Sequence, residues 1–197
     1  MNETRTYPRQ VTTDAGDIEF RLMARADEAA VLAFAKALPT HDLLFLPRNI
    51  SQPKVLTAWI NEIERGAITS LLAIKDDRVV GCGTLVRDPH SWSPHVGELR
   101  MVVSLDVRGQ GVGRALSQET FAFALGAGLE KLTVQMTVDQ RAAITLFEGL
   151  GFRAEALLRD HVRDVDGRKH DIVVLGHDIA QVRAQLEAYG VPGAVQG

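Results

Sequence analysis

The segment Arg108-Gly-Gln-Gly-Val-Gly-Arg114 constrains this chain more than any other. It stands between a long β-rich run, Val96 to Leu105, and a stretch with helical spacing from Val112 to about Leu125. Alternate glycines let the backbone approach a ligand without side-chain obstruction, and a helix starting there offers unpaired N–H groups and the positive end of its dipole. Such a turn is an anion cradle. Arg108 and Arg114 flank it as charge-assisted donors for phosphate oxygens; the plainer alternative is a tight strand-to-helix turn with no ligand. Spacing narrows the choice of phosphate. A Walker loop needs Lys and then Ser or Thr after its last glycine, where this chain has Arg114-Ala115. The dinucleotide pattern GxGxxG also fails, because its third glycine falls on Arg114 when counted from Gly109 and on Leu116 when counted from Gly111.

The surrounding pattern predicts a β α α β β β α β α β β order. Ile18, Phe20 and Leu22 alternate as a strand, and an Ala/Leu-rich helix runs from Asp27 to Leu38. Ser51-Gln-Pro53 opens a second helix that Gly66 closes, since proline suits the first helical turn. Ile68 to Ile74 and Val79 to Val86 form an antiparallel hairpin around Lys75-Asp-Asp-Arg78, and Val96 to Leu105 completes a meander. Within that third strand Leu99, Met101, Val103 and Leu105 share one face, while Glu98, Arg100, Val102 and Ser104 share the other. Lys131 to Thr137 is a strand and Gln140 to Leu150 a helix. Phe152 to Leu158 and Asp171 to Leu175 close the sheet around a turn at Asp164-Val-Asp-Gly167. The expected fold class is α/β, a single mixed, mostly antiparallel sheet flanked by helices. One domain spans residues 17–180, after a polar tail over 1–16 and before a C-terminal helix end and tail over 181–197.

Composition excludes several classes. The 197 residues carry 22 basic and 25 acidic side chains, a formal net charge of −3, with no basic cluster, so the footprint of a nucleic-acid binder is missing. No run approaches the roughly 20 apolar residues of a membrane span, and the polar first sixteen residues lack a secretory h-region. A cytoplasmic protein without membrane or nucleic-acid partners is expected. Cys82 is the single cysteine, which leaves no internal disulfide and no CxxC pair. In its apolar strand it reads as a small buried hydrophobe rather than a nucleophile.

The run Val103-Ser-Leu-Asp-Val-Arg108-Gly-Gln-Gly-Val-Gly113-Arg-Ala-Leu116 resembles the pyrophosphate-binding motif of the GNAT N-acetyltransferases, whose core is R/Q-x-x-G-x-G/A. Downstream, Gln140-Arg-Ala-Ala143-Ile-Thr-Leu146-Phe147-Glu-Gly-Leu-Gly151-Phe152 is similar to the family's second signature, an Asn-led helix ending in leucine, tyrosine and a terminal Gly-Phe. The predicted element order is also the family's, so the resemblance covers about Ile18 to Asp178. It implies a fold with splayed central strands and acetyl-CoA as cosubstrate. The pantetheine arm would lie along Met101, Val102 and Val103, and the pyrophosphate on Arg108, Gly109, Gln110, Gly111, Val112, Gly113 and Arg114. Gln140 and Phe147 would also line the cofactor.

The implied reaction is direct attack by a primary amine on the thioester, with Glu98 as the base that takes up the ammonium proton, through water. A solvated Glu98 beside Arg100 is the plain alternative. Two departures from the family pattern stand out. Gln140 replaces the asparagine and can still hydrogen-bond the cofactor. Phe147 replaces the tyrosine that protonates the departing thiolate, so catalysis without a tyrosine acid is expected, unless Tyr7 or Tyr189 serves. Gln135 occupies the second base position used by ribosomal-protein N-terminal acetylases and cannot act as a base.

Other residues carry weaker signals. His161, His170 and His177, with Asp160, Asp171 and Asp178, match no metal-ligand spacing, so no metal is expected. His41-Asp42, Trp92 and His95 lie where family members shape the acceptor pocket, or they only pack. The loops over 39–53 and 87–95 are long enough to enclose a pocket, which favours a small amino acid-like amine over a protein lysine; a peptide amine stays open. A non-catalytic acyl-CoA-binding regulatory module is the rival reading, and a homodimer through the last strands is a family expectation.

Overall fold

In the computed structural model residues 5–180 are described, apart from 44, 45 and 47. The strands are β1 (Arg9–Thr13), β2 (Gly16–Leu22), β3 (Ile68–Lys75), β4 (Arg78–Val86), β5 (Val96–Val103), β6 (Lys131–Thr137), β7 (Arg153–Arg163) and β8 (Lys169–Asp178). The helices are α1 (Glu28–Ala37), α2 (Pro53–Glu64), α3 (Val112–Gly126) and α4 (Arg141–Gly149). The strands form one sheet in the order β1-β2-β3-β4-β5-β6-β8-β7, antiparallel throughout except for β5 beside β6. The expected fold class is therefore the observed one.

Three differences from the expected elements have local causes. The first sixteen residues, expected as a polar tail, contain β1, which pairs with β2 from Arg9↔Phe20 to Thr13↔Gly16. An edge strand has few apolar positions to announce it, and this one is fixed by a hairpin turn in which Gly16 takes a φ of +99°. The closing strands run further than their hydrophobic pattern suggests, because most of β7 is exposed on both faces and shows no alternation. In contrast, β5 stops at Val103, where a single 3-10 turn over Leu105–Val107 turns Leu105 into solvent. The segment 181–197, including Tyr189, lies outside the described residues.

Two layers of helix cover the sheet. Val102 on β5 packs with Phe34, Leu38, Leu43, Ile50 and Leu56, so α1 and α2 lie on the face that carries Glu98, Arg100 and Val102. Leu99 packs on the opposite face with Ala124, Val134, Phe147 and Phe152, beneath α3 and α4. Close seating of α3 depends on Gly83 in β4, where a Cβ would collide with Thr120 and Leu116 of α3.

The feature that positions the site is a gap. β5 and β6 pair from Val96↔Lys131 to Leu99↔Val134 and no further. β5 stays on β4 as far as Gly81↔Val103, and β6 stays on β8 as far as Thr137↔Ile172. Each arm is thus held by its outer neighbour while the inner edges part.

At the other end of the sheet, Asp27 joins β2 to α1. Its carboxylate accepts two bonds from Arg21, at 2.6 and 2.8 Å, and one from the Ala24 N–H at 2.9 Å. The Arg21 guanidinium holds this carboxyl below the usual range. A depressed folded-state pKa gives stability that is present above the unfolded value of about 4 and lost as pH falls through the folded value. Asp27→Asn should lower unfolding stability by about 2 kcal/mol near neutral pH, given the partial exposure of Arg21. Urea denaturation across pH should show the difference shrinking below about pH 4.

Candidate active site

The glycine turn begins where β5 ends. Val107 is buried and anchors it, while Ser104 Oγ donates to Asp106 Oδ1 at 2.5 Å and shapes the approach. Gly109 and Gly111 have φ of +72° and +83°, a region that costs a residue with a side chain about 1–3 kcal/mol. Gly111 caps α3, and the first-turn N–H groups of Val112, Gly113 and Arg114 lack intrahelical acceptors, as at any helix start. These N–H groups and the helix dipole point into the same turn that the sequence singled out.

The flanking side chains divide their work differently from the expectation. Arg108 turns back, its Nε and Nη2 donating to the Val103 carbonyl at 3.1 and 2.9 Å and Nη2 also to Asp42 at 2.6 Å. Gln110 donates to the Asp106 carbonyl, and Val112 is fully buried in the core. Gln110 and Val112 do not line the cleft beside this turn, whereas Arg108 does. Arg114 is exposed on the cleft wall.

A cleft of about 700 Å³ runs from this turn into the gap between β5 and β6. Met101, Val102, Val103, Arg108, Gly109, Gly111, Gly113, Arg114, Gln140 and Phe147 line it, in keeping with their grouping in the sequence. Two observations fit the pantetheine arm of an acyl-CoA. The inner edge of β5 beyond Leu99 has no strand partner. Gln140 Oε1 is buried without a hydrogen-bond partner, an acceptor awaiting an amide N–H. Phe147 is buried, with its ring 5.2 Å from that of Phe152, and brings no proton donor.

On the α1/α2 side of β5 lie two further cavities. One, of about 490 Å³, is lined by Glu98, Arg100, Gln135, Arg48 and Arg163; the other, of about 540 Å³, by Trp59, Cys82, Thr84, Arg48 and Arg100. Arg100 borders both and the cofactor cleft as well. Glu98 is partly buried, and Arg100 donates to both its oxygens, at 2.8 and 2.9 Å. The neighbour considered from sequence is therefore present, and each carboxylate oxygen retains further acceptor capacity. Sequence reasoning does not find Arg48 or Trp59 as site residues. Arg48 lies in an irregular loop without a motif, and the helical spacing around Trp59 marks it only as a core position.

Several sequence candidates fall elsewhere. Trp92 is fully exposed and His95 is exposed, and neither lines any of these three cavities. The 87–95 loop therefore does not wall the acceptor side, whereas Leu46, Arg48 and Ile50 from the 39–53 loop do. His41 and Asp42 line the cofactor cleft instead. Tyr7 lies against α3, donating to Glu119 Oε2 at 3.1 Å, and burial with the adjacent carboxylate raises its pKa far above the ordinary value. His177 sits among Phe121, Phe152 and Gly151, where burial lowers its pKa, so it is a neutral core residue.

Open splayed strands over a glycine-capped helix start define an acyl-CoA-binding fold. The chain matches the family described as Acetyltransferase (GNAT) family over residues 28–152. It belongs to that family, whose members are acyltransferases using acetyl-CoA as cosubstrate. It is 24% identical over 127 residues to N-alpha-acetyltransferase 30 of Schizosaccharomyces pombe, covering 64% of this chain and 85% of the relative. A match at 35% identity to a probable N-acetyltransferase family 8 member 5 of Mus musculus spans 36% of this chain and only 31% of that protein. Among solved structures, an N-acetyltransferase from Staphylococcus aureus Mu50 superposes with a TM-score of 0.73 at 18% identity, covering 82% of this chain and 98% of that one. The protein yncA of Salmonella typhimurium, solved with its cofactor acetyl-CoA, gives 0.70 at 18% identity, over 82% and 94% of the two chains.

Arg114→Ala should raise the acetyl-CoA dissociation constant by about tenfold or more, the worth of one charge-assisted bond, while a pantetheine thioester without pyrophosphate binds both proteins alike in calorimetry. Burial pushes the Cys82 thiol up to about 12, so the native protein should resist alkylation by iodoacetamide at mildly alkaline pH and react only after denaturation. Rapid labelling of the native thiol would reopen a covalent acetyl-cysteine route.

Proposed function

We propose that this protein transfers the acetyl group of acetyl-CoA to the primary amine of a small amino acid-like molecule. The observation that carries the reading is a cleft in the gap beside the splayed β5 that meets, at Arg100, a second cavity on the α1/α2 face. The first would hold the cofactor and the second, lined by Glu98, Arg48 and Arg100, the acceptor. An acceptor amine entering there attacks the thioester carbonyl carbon, the C–S bond breaks, and CoA leaves as a thiolate. An acceptor arriving as an ammonium first loses one proton to solvent, and the proton that the attacking nitrogen sheds as the amide forms passes through water to Glu98. A CoA thiol with a pKa near that of cysteine, about 8.5, leaves without a protein acid, in keeping with Phe147 at the usual tyrosine position.

Arg48 borders both acceptor-side cavities and supplies a cation for a carboxylate on the acceptor, which supports an amino acid over a polyamine. The same reading includes a homodimer through the last strands, supported by the exposed length of β7 at the sheet edge. A reducing, cytoplasmic setting is supported by the single buried thiol; among the described residues no helix is long and apolar enough to cross a membrane.

Free-thiol release from acetyl-CoA, measured against amino acids, polyamines and lysine peptides, tests the acceptor class. Release with amino acids alone is expected, and release only with peptides would contradict it. Glu98→Gln should lower kcat by about 100-fold or more with acetyl-CoA affinity unchanged. An unchanged kcat would remove Glu98 from the chemistry, and a wild-type protein that binds acetyl-CoA but turns over none of the panel would favour a regulatory binding module.

A further inference from the structure

His41, Asp139 and His170 are remote in sequence, so no ligand spacing could link them. The fold brings them to one point. His41 comes from the short turn after α1, Asp139 from the corner between β6 and α4, and His170 from the start of β8. One ligand atom of each lies within 4.8 Å of the others. His41 Nε2 is 2.9 Å from Asp139 Oδ2, and the two imidazoles meet edge to face with centroids 5.4 Å apart. Behind them Asp164 Oδ2 bonds His170 Nε2 at 2.7 Å and fixes that ring, as carboxylates do behind metal-bound imidazoles.

We propose that His41, Asp139 and His170 form a binding site for one divalent transition-metal ion of the zinc class at the mouth of the cofactor cleft. Two imidazoles and a carboxylate are a complete three-ligand set for zinc, leaving one position for water. Tetrahedral zinc, with bonds of about 2.0–2.1 Å, places its donors roughly 3.3 Å apart. The His41–Asp139 pair must open by a few tenths of an ångström, and no other pair need close by more than roughly 1.5 Å. Side-chain torsions at partly exposed positions supply such shifts.

The location gives the ion a role. His41 and Asp139 both line the cofactor cleft, and the neighbouring Asp42 is bonded to Arg108 at the end of the β5 arm. An ion on His41 and Asp139 ties the same segment to the β6 arm. The metal therefore straps the α1–α2 connection across the open end of the gap.

The test uses the full, tag-free chain stripped with a chelator and titrated with Co²⁺ and then Zn²⁺, read by visible absorption and calorimetry. The expected result is one ion per chain, with the intense absorption of four-coordinate cobalt abolished by zinc. Affinity should fall by about tenfold or more in His41→Ala, Asp139→Asn and His170→Ala, and stay unchanged in His90→Ala, a histidine of the exposed β4–β5 loop. Thermal melts in metal-free buffer check folding; should His170→Ala not fold, the exposed or half-exposed Asp139 and His41 variants decide. Absence of saturable binding, or equal affinity in the ligand variants, would overturn the site. Acetyl-CoA and acceptor do not enter the readout, so this failure is separate from failure of the proposed reaction.

Discussion

The structure depends on a set of backbone hydrogen bonds that are not made. Parallel pairing between β5 and β6 ends at Leu99↔Val134, and from there the two inner edges have no strand partner among the described residues, so their peptide groups lack a ladder, apart from the Val103 carbonyl, which Arg108 takes. Such groups are costly to leave unmade when desolvated. A ligand with alternating amides, such as a pantetheine arm, satisfies them as an added strand would. The gap persists because β4 and β8 hold the two arms from outside, each with its own ladder.

The geometry then separates tasks by face. Residues of β5 alternate, so Leu99, Met101 and Val103 point toward α3 and α4 while Glu98, Arg100 and Val102 point toward α1 and α2. One strand therefore borders both the cleft in the gap and the cavities on the α1/α2 side, with Arg100 common to them. The α1–α2 connection closes the far end through the Asp42–Arg108 ion pair and the contact of His41 with Asp139. That connection touches both arms of the gap and shapes the mouth through which the cofactor passes.

Much of this is legible in the sequence. The glycine turn announces itself because left-handed backbone at Gly109 and Gly111 admits little else, and hydrophobic periodicity locates the four helices of the described residues. The residues around the cleft follow from their position on β5 and α4. What stays hidden is partner choice. Nothing at position 108 says that its guanidinium turns back to Val103 and Asp42, and nothing in the sequence brings position 41 beside 139 and 170. Those contacts arise from long-range closure of the chain. The β1 strand escapes for a related reason, since an exposed edge strand is specified by its neighbour rather than by its own apolar pattern.

The central claim is that acetyl-CoA completes the open edge of β5. Amide hydrogen exchange with and without acetyl-CoA tests it most directly, because exchange reports the hydrogen bonding of individual backbone segments. Slowed exchange is predicted at Met101–Val103 and at the start of α3 over 112–114, with β7 unaffected. Unchanged exchange in those segments at saturating acetyl-CoA, or protection confined to another part of the sheet, would contradict it.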